Sequence, residues 1–482
     1  MVFSDLFFLF EFIPTFMLCY LLAAFVDNKL LSTETERSNN ARNSMLVIFS
    51  LIFYAWGEPV YVFLMLACVF INYIAGLSIN CCEGGRRKAA LTVGLICNIA
   101  ILGTFKYLGF FASVLADVGV EVSVPKISLP IGISFYTFQS ISYLIDVYRK
   151  ESPVQRRFTG LLLYISMFPQ LIAGPIVRYG TVADEIHNRR VSVNDFADGS
   201  YRFFIGLGKK VIIANQLSEI ADQFLVNGLG SLSTTGAWIG IAAFTLQIYF
   251  DFSGYSDMAI GMGRCLGFHF NENFNHPYCC KSITDFWRRW HMSLGSFFRD
   301  YVYIPMGGNR RHQTVNIMTV WFLTGMWHGA SWNFIIWGVF FGVILMIEKK
   351  TILRVREKVP ALFLHIYSIV IFVTGWGIFY YDDFDKMKKF FNAYIGNAPV
   401  FTDFVSESAI LDNFWLWTAA ILFCMPVRRA ASNVLCRITS WNDNVHGMCV
   451  FTARVTVSVV LLSLSVALLV GATNNAFIYT RF

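Results

Sequence analysis

Charged residues are scarce in this chain. They make up 14% of its 482 residues, whereas soluble domains carry about 25%. The net charge of +7 does not come from any basic block long enough to follow a phosphate backbone, so nucleic-acid binding is not predicted. The charged residues of this chain are too few to cover the surface of an ordinary soluble protein of this length.

The sequence also lacks the short motifs of several enzyme classes. It contains no HExxH, no GxSxG elbow, no Walker A loop and no dinucleotide-binding glycine pattern. His269 and His276 are seven residues apart, which is not a metal-ligand spacing. The eleven cysteines show neither metal spacing nor a disulfide framework. We therefore predict no bound metal and no structural disulfide.

Long apolar segments make up much of the chain. Hydrophobic residues reach 56%, and the mean hydropathy is +0.55. About 20 apolar residues cross the hydrocarbon core of a bilayer. The N-terminus has neither a basic region nor a cleavage site, so Phe3–Phe25 is predicted to be a retained first helix. Candidate segments are roughly 3–26, 44–57, 59–80, 90–115, 129–148, 158–177, 199–225, 235–264, 314–329, 331–349, 361–381, 409–426 and 452–472.

Glycine and proline interrupt two of these segments. Gly57 and Pro59 divide one, and Pro169, Gly174 and Pro175 break another. Broken helices are tolerated at membrane depth only where buried protein or a wet cavity satisfies the freed backbone groups. We therefore expect an all-α polytopic membrane protein that forms a single membrane domain over residues 1–482. It should have about 11 transmembrane helices plus re-entrant or interfacial helices.

The charges that flank the first segment predict its orientation. Acidic residues begin the segment, and Lys29, Arg37 and Arg42 follow it. Basic residues are enriched in cytoplasmic loops. The N-terminus is therefore predicted to be extracytoplasmic, and the segments 44–57 and 59–80 should form a pair that returns Arg86–Lys88 to the cytoplasmic side.

Residues 283–306 differ in kind from the apolar segments. Aromatic residues recur there at helical spacing, while Arg288, Arg289 and Arg299 occupy much of the opposite side. This pattern predicts one amphipathic helix at the membrane interface. Ser282 or Thr284 is predicted to cap its start. Arg288, Arg289 and Arg310 suit either phosphate-bearing groups of a donor or carrier, or lipid headgroups.

Two histidines are the main candidates for chemistry. His328 lies in Met326–Asn333, inside an apolar segment, where an ionisable ring has to be paired, face a wet cavity or act on a substrate. Imidazole has a near-neutral pKa that suits a general base taking a proton from an attacking hydroxyl. His291 lies in the aromatic run Trp287–His291. It is predicted to orient an acyl donor, polarise a thioester carbonyl or share a proton relay with His328; headgroup anchoring is the structural alternative.

The run Gln247–Asp257 combines two acids and several hydroxyls beside a long apolar segment. It is interpreted in two ways. It either lines a wet cavity or forms a polar cap, with Ser253 or Asp257 starting the next helix.

Several stretches in combination resemble the membrane-bound O-acyltransferase family, in its bacterial branch of alginate O-acetylation proteins. The resemblance runs from the first residues to about 380. It rests on Met1–Ser4, Leu129–Tyr136, Ile172–Pro175, Tyr249–Gly261, Asp285–His291, Arg299–Pro305 and Trp327–Ala330. The ending Asn474–Phe482 only partly keeps the family's aromatic C-terminus.

The resemblance implies a helical bundle around a central tunnel, with the motif-bearing core at about 129–349 and a more divergent region at about 385–482. It also implies that His328 is the catalytic residue and that His291 occupies the upstream position of the pair. The residues implied to form the substrate tunnel are Trp287, Arg288, Trp290, Asp251, Ser253, Tyr255, Asp257, Trp327 and Asn333.

The expected reaction is O-acylation, with acyl groups entering from a cytoplasmic donor and leaving on the outer side of the bacterial cytoplasmic membrane. No permanently bound cofactor is expected, because the donor is a thioester co-substrate, either acetyl-CoA or an acyl-carrier protein. The expected partners are membrane lipids, a cytoplasmic acyl-donor protein and an extracytoplasmic acetyltransferase of the SGNH type that modifies a polysaccharide.

Three alternatives stay open at this point. The related branch of the same family transfers D-alanine to teichoic acids. A transporter with a polar pore would also show broken helices and buried histidines. A scaffold for other membrane enzymes would tolerate substitution of His328.

Overall fold

Helices make up all of the regular structure in the part of the chain that the computed structural model describes. The described residues are 1–31, 38–120, 122–125, 127–172, 174–427, 430–431, 433, 443–472 and 477. Ala173 of the Ile172–Pro175 motif lies outside them, as does the Asn474–Phe482 motif except Phe477. The prediction of an all-α chain is confirmed for these residues.

The helices fall into two compact units. The first contains residues 1–203 and 255–271. Its helices are α1 (Ile13–Val26), α2 (Asn40–Gly57), α3 (Tyr61–Cys81), α4 (Gly84–Leu102), α5 (Leu108–Asp117), α6 (Ile133–Arg149), α7 (Phe158–Ser166), α8 (Phe168–Leu171), α9 (Tyr179–Asn188) and the larger part of α10 (Val193–Gly208). The single membrane domain over 1–482 stays a prediction.

The second unit contains residues 204–254 and 272–482. It holds both candidate histidines. Its helices are α11 (Asn215–Asp222), the larger part of α12 (Thr234–Cys265), α13 (Ile283–Trp287), α14 (Met292–Phe298), α15 (Gln313–His328), α16 (Trp332–Lys350), α17 (Ile352–Val355), α18 (Ala361–Tyr380), α19 (Phe384–Tyr394), α20 (Phe404–Leu411), α21 (Phe414–Cys424) and α22 (Asp443–Leu469).

Five helical segments among the described residues are long and apolar enough to cross a membrane. They are Phe8–Lys29, Tyr61–Cys81, Gly84–Asp117, Ala361–Tyr380 and Gly447–Leu469. Each coincides with a segment predicted from the sequence. Their lengths of 20 to 34 residues match or exceed the roughly 20 residues that a bilayer requires.

Both predicted helix breaks are present. Helix α2 ends at Gly57, and α3 begins at Tyr61, after Pro59. Helix α7 ends at Ser166, and the four-residue α8 carries Pro169 in its first turn, where a missing N–H costs no hydrogen bond. No helix continues through Gly174 and Pro175. These breaks follow from the local chemistry of proline.

Helix α12 corrects one interpretation of the polar run Gln247–Asp257. The run does not cap one helix and start another, because α12 continues unbroken through all 32 residues from Thr234 to Cys265. Its two acids are instead neutralised by cations from other segments. In the second unit Lys210 Nζ lies 2.7 Å from Asp251, and in the first unit Arg202 lies 2.8 Å from Asp257.

The segment 283–306 is not one amphipathic helix, so that prediction is wrong. Helices α13 and α14 are separated at residues 288–291, and His291 adopts the left-handed conformation, with φ 45° and ψ 53°. Two backbone hydrogen bonds hold this break: Asn275 N–H donates to Arg289, and Met292 N–H donates to Asn273. Ser282 accepts a hydrogen bond from the N–H of Asp285, which confirms it as the cap of α13.

Glycines let α15 and α16 pack closely as a hairpin. A Cβ atom on Gly325 would overlap the carbonyl oxygen of Phe334, and one on Gly338 would overlap the carbonyl oxygen of Trp321. Backbone-to-backbone contact of this kind holds the two helices in register. The hairpin matters for the site because His328 is the last residue of α15.

Candidate active site

His328 lies at the end of a helix inside an aromatic enclosure. Its side chain is buried, and its ring centroid lies 5.0 Å from that of Trp337 and 5.2 Å from that of Phe379. The chain leaves the helix at Gly329, which is extended, and α16 begins at Trp332. A Cβ atom on Gly329 would overlap the ring of Phe334, so a glycine is required where the chain turns.

His328 lies where a helix end can stabilise a positive charge that forms during a reaction. A helix C-terminus carries a partial negative charge from its unsatisfied carbonyl groups. A base that takes a proton during a reaction becomes an imidazolium, which this end of α15 stabilises. The site is therefore suited to general-base catalysis.

His291 is separated from His328 by a single indole. The ring of Trp327 lies 5.4 Å from the ring of His291 and 4.9 Å from the ring of His328. Phe252 of α12 covers another side of His291, with centroids 4.7 Å apart. The structure thus brings the two predicted histidines into one aromatic cluster, with Trp327 as the residue between them.

A polar group holds one edge of the buried His291 ring. Its Nδ1 lies 3.2 Å from Oδ1 of Asn273. The same oxygen accepts hydrogen bonds from the backbone N–H of Ser293 at 3.2 Å and from its hydroxyl at 2.8 Å. Burial lowers the pKa of His291 to about 3. The ring is therefore neutral at physiological pH.

Two further predicted residues border this cluster. The amide nitrogen of Asn333 donates to the carbonyl of Phe379 at 3.0 Å, and so fixes an aromatic residue that packs on His328. Trp287 packs against Trp337, which also contacts His328. These residues support the walls of the site.

Trp290 and Arg288 have other surroundings. Trp290 is fully buried and packs against Trp376 and Phe286 in the apolar core of the second unit. Arg288 is exposed. The neighbouring Arg289 forms an ion pair with Asp285 at 2.8 Å. None of the three has a described contact with the two histidines.

The remaining predicted tunnel residues lie along α12 and divide between the units. In the second unit Asp251 pairs with Lys210, and the hydroxyl of Ser253 is buried with no hydrogen-bond partner among the described residues. Tyr255 and Asp257 belong to the first unit. There Tyr255 stacks on Phe3 with centroids 4.3 Å apart, and Asp257 pairs with Arg202.

A buried carboxylate that no sequence motif marks positions α13. Glu348 of α16 is fully buried and accepts hydrogen bonds from the N–H groups of Ile283 and Thr284 at 2.5 and 2.8 Å, and from the Thr284 hydroxyl. The first amides of a helix have no partner within the helix. Glu348 satisfies them and ties α13, which leads to His291, to α16. In the sequence it resembles an interfacial charge, because Lys349 and Lys350 follow it.

Asn273 was also missed, because it lies in a loop whose polar residues carry no motif. The buried Lys210 was overlooked for a similar reason, since two adjacent lysines usually mark a helix end exposed to water. In the first unit Nδ1 of His269 lies 2.7 Å from a carboxylate oxygen of Glu185. No group of three or more His, Cys, Asp or Glu side chains among the described residues has the geometry of a metal site.

A cavity of about 230 Å³ opens elsewhere in the second unit. Gln247, Tyr380, Tyr381 and Asp222 are among the residues that line it. Both tyrosines follow Phe379 directly in the chain. None of the predicted tunnel residues lines this cavity.

Comparisons with known proteins agree on one family. A model of MBOAT, the membrane-bound O-acyltransferase family, matches residues 157–383, which include both histidines. The chain is 41% identical to the probable alginate O-acetylase AlgI of Azotobacter vinelandii, over 82% of this chain and 78% of that protein. It is 30% identical to the peptidoglycan O-acetyltransferase of Helicobacter pylori, over 100% of this chain and 98% of that protein. It is also 30% identical to the teichoic acid D-alanyltransferase of Bacillus subtilis, over 45% of this chain and 58% of that protein.

Proposed function

This chain belongs to the membrane-bound O-acyltransferase family, and we propose that it passes an acetyl group from a cytoplasmic thioester across the membrane for O-acetylation of an exported or cell-surface polysaccharide. It is a multi-pass membrane protein and an O-acyltransferase. One observation carries the proposal: His328 ends α15 inside an aromatic enclosure, one indole away from His291.

His328 acts as the general base in this proposal. It takes the proton of the acceptor hydroxyl as the oxygen attacks the thioester carbonyl, so a C–O bond forms and the C–S bond then breaks. The leaving thiolate recovers the proton from the imidazolium. The C-terminal end of α15 stabilises the imidazolium between these two steps. The buried aromatic walls exclude water that would otherwise hydrolyse the thioester.

The setting of the reaction belongs to the same proposal. The enzyme lies in the bacterial cytoplasmic membrane with its N-terminus outside, as a bundle of about 11 transmembrane helices around a central tunnel. The donor is acetyl-CoA or an acyl-carrier protein, and no cofactor is permanently bound. An extracytoplasmic acetyltransferase of the SGNH type receives the acetyl group.

D-alanyl transfer to teichoic acids is the second candidate. It is favoured by the similarity to the Bacillus subtilis teichoic acid D-alanyltransferase, which covers 45% of this chain. Acetyl transfer comes first because the similarity to the two O-acetylating relatives covers 82% and 100% of the chain. The transporter and scaffold alternatives are not retained, because the family consists of O-acyltransferases.

Acetyl transfer in reconstituted membranes tests the function. Proteoliposomes receive labelled acetyl-CoA or labelled acetyl-carrier protein, with a carrier protein loaded with D-alanine as the competing donor. We expect acetyl transfer, and we expect His328→Ala and His328→Gln to reduce it by about 10²- to 10⁴-fold, the range of a general base.

His365→Ala is the matched control. His365 is a half-buried histidine of the same unit, and its Nδ1 lies 2.9 Å from the carbonyl oxygen of Cys280. This control should keep most of its activity. Full turnover in both His328 variants would refute the base assignment, and transfer of D-alanine alone would replace acetyl transfer with the second candidate.

A further inference from the structure

The amide of Asn273 can be oriented without ambiguity. One of its terminal atoms lies 3.2 Å from the backbone nitrogen of Ser293. A backbone N–H only donates, so the Asn273 atom facing it is the oxygen and not the nitrogen. The hydroxyl of Ser293, 2.8 Å away, also donates its proton to this oxygen. The atom that Asn273 presents to Ser293, and to the other groups on that side of its amide, is therefore the acceptor Oδ1.

The orientation of Asn273 decides where the proton of His291 lies. Nδ1 of His291 faces the same amide oxygen at 3.2 Å, and two acceptors cannot form a hydrogen bond with each other. The hydroxyl of Ser293 is 3.4 Å from Nδ1, but its own proton is directed to Asn273. Nδ1 therefore carries the proton. In a neutral imidazole the other nitrogen, Nε2, then holds a lone pair.

The surroundings of His291 keep the ring neutral. Phe252 faces it from α12 and Trp327 faces it from α15, while Asn273 and Ser293 hold its polar edge. Desolvation by burial is the cause of its lowered pKa, and no charged group among the described residues contributes. Nε2 is buried and has no hydrogen-bond partner among the described residues. A buried acceptor without a partner is uncommon in a folded protein.

We propose that Asn273 is a positioning residue that holds His291 with its proton on Nδ1, so that Nε2 accepts a hydrogen bond from an O–H or N–H group of the substrate. This inference rests on the proposed acyl transfer. It selects among the roles predicted for His291: an unprotonated Nε2 cannot polarise a thioester carbonyl, because it has no hydrogen to donate. His291 instead orients an O–H or N–H group of the substrate by accepting its hydrogen bond, while His328 performs the proton transfer.

A purely structural role for Asn273 makes a different prediction. Its oxygen satisfies the N–H of Ser293 in the first turn of α14, so it could serve only as a helix cap. Aspartate caps a helix as well as asparagine does. Asn273→Asp therefore separates the two roles, because it keeps the cap and places a negative charge beside His291.

The pH dependence of Asn273→Asp is the decisive measurement. A carboxylate beside an imidazole stabilises its protonated form and raises its pKa. Protonated His291 has no lone pair on Nε2 and loses the proposed hydrogen bond. A neighbouring opposite charge changes a pKa by about 1–3, which raises that of His291 from about 3 towards 6. We expect the ratio of variant to wild-type acetyl transfer to be constant above pH 7 and to fall by about 10-fold between pH 7 and pH 5.

Dividing the rate of the variant by that of the wild type removes every effect of pH that the two proteins share. Ser293→Ala is the matched control, because it removes one donor to Asn273 without adding charge, and its ratio to wild type should be independent of pH. The KM values identify the group that His291 holds: a rise in KM for the acceptor indicates its hydroxyl, and a rise in KM for the thioester indicates an N–H of the donor.

Nitrogen NMR of histidine-labelled protein gives a readout that is independent of activity. The chain has eight histidines, and the spectrum of His291→Gln identifies the signals of His291. We expect a protonated Nδ1 and an unprotonated Nε2 in the wild type. The opposite tautomer, or an Asn273→Asp variant with wild-type activity at every pH, overturns the inference. Full activity in His291→Gln would instead show that the second histidine of the proposed function is wrong.

Discussion

The buried ion pair of Lys210 and Asp251 allows a test of how much the neutralisation of a buried charge on α12 contributes to the free energy of unfolding. Both side chains are at most 4% exposed, and their charged atoms are 2.7 Å apart. Removing one partner takes away the ion pair that neutralises the other charge, in a place where both side chains are almost fully buried. Such a loss costs about 3–5 kcal/mol, whereas replacing both charges by apolar side chains of similar size is close to neutral.

We therefore expect Asp251→Leu and Lys210→Met each to lower the free energy of unfolding by about 3–5 kcal/mol, and the double variant to recover to within about 1 kcal/mol of the wild type. Unfolding in mixed micelles, driven by SDS and followed by circular dichroism, provides the measurement.

The pair Arg202 and Asp257 on the same helix is the matched control. Its side chains are 23% and 16% exposed, so water partly screens both charges. Asp257→Leu should cost less than Asp251→Leu, because pairs that reach water contribute about 0–1 kcal/mol. If the double variant of the buried pair is no more stable than the single variants, the reasoning is refuted.

Acetyl transfer by the double variant distinguishes packing from chemistry. Asp251 was predicted to line the substrate tunnel, and a stable but inactive double variant would support that role. A stable and active double variant would show that Asp251 only neutralises Lys210.

Three further outcomes follow from the site. Gly325→Ala or Gly338→Ala should separate α15 from α16 and lower both thermal stability and acetyl transfer. A Cβ atom on Gly342 would meet the flexible Met318 side chain at 2.9 Å and the Cβ of Trp321 at 3.3 Å, with no backbone carbonyl among its nearest contacts, so Gly342→Ala should cost less than either. Glu348→Gln should cost about 1.5–3 kcal/mol in the same SDS unfolding assay, because it weakens charge-assisted bonds to the first turn of α13; no loss would contradict its role as a cap. Burial lowers the pKa of His291 to about 3, so the unfolded chain binds its proton first as pH falls below about 6.5. The wild type should therefore lose about 2 kcal/mol more stability than His291→Gln between pH 7 and pH 5, at about 1.4 kcal/mol per pH unit, and equal losses would show that His291 is not buried in its neutral form.

Local chemistry made several features predictable. The breaks at Gly57 and Pro59 and at Pro169 follow from residues that cannot continue a helix. Ser282 caps α13 because its own side chain reaches an amide three residues later. The apolar spans follow from composition over about 20 residues. Each of these depends on neighbours in the chain.

Helix boundaries were predicted wrongly where a partner distant in the chain changes the conformation that a segment prefers by itself. Polar residues inside α12 favour a cap or a turn in isolation, yet the helix continues, and Lys210 neutralises the buried Asp251 from 41 positions away. The amphipathic pattern of 283–306 favours a continuous helix, yet hydrogen bonds accepted by Asn273 and donated by Asn275 hold the helix interrupted at His291.

The sequence by itself determined that this chain is a helical membrane protein of the O-acyltransferase family, and it singled out His328 and His291. Only the tertiary structure decided that Trp327 lies between them, that Glu348 anchors the segment leading to His291, and that Asn273 sets the proton of its ring. The physical reason is that hydropathy and helix breaks act over a few neighbouring residues. The state of a buried imidazole depends instead on which groups the fold places against it, and no spacing along the chain encodes that contact.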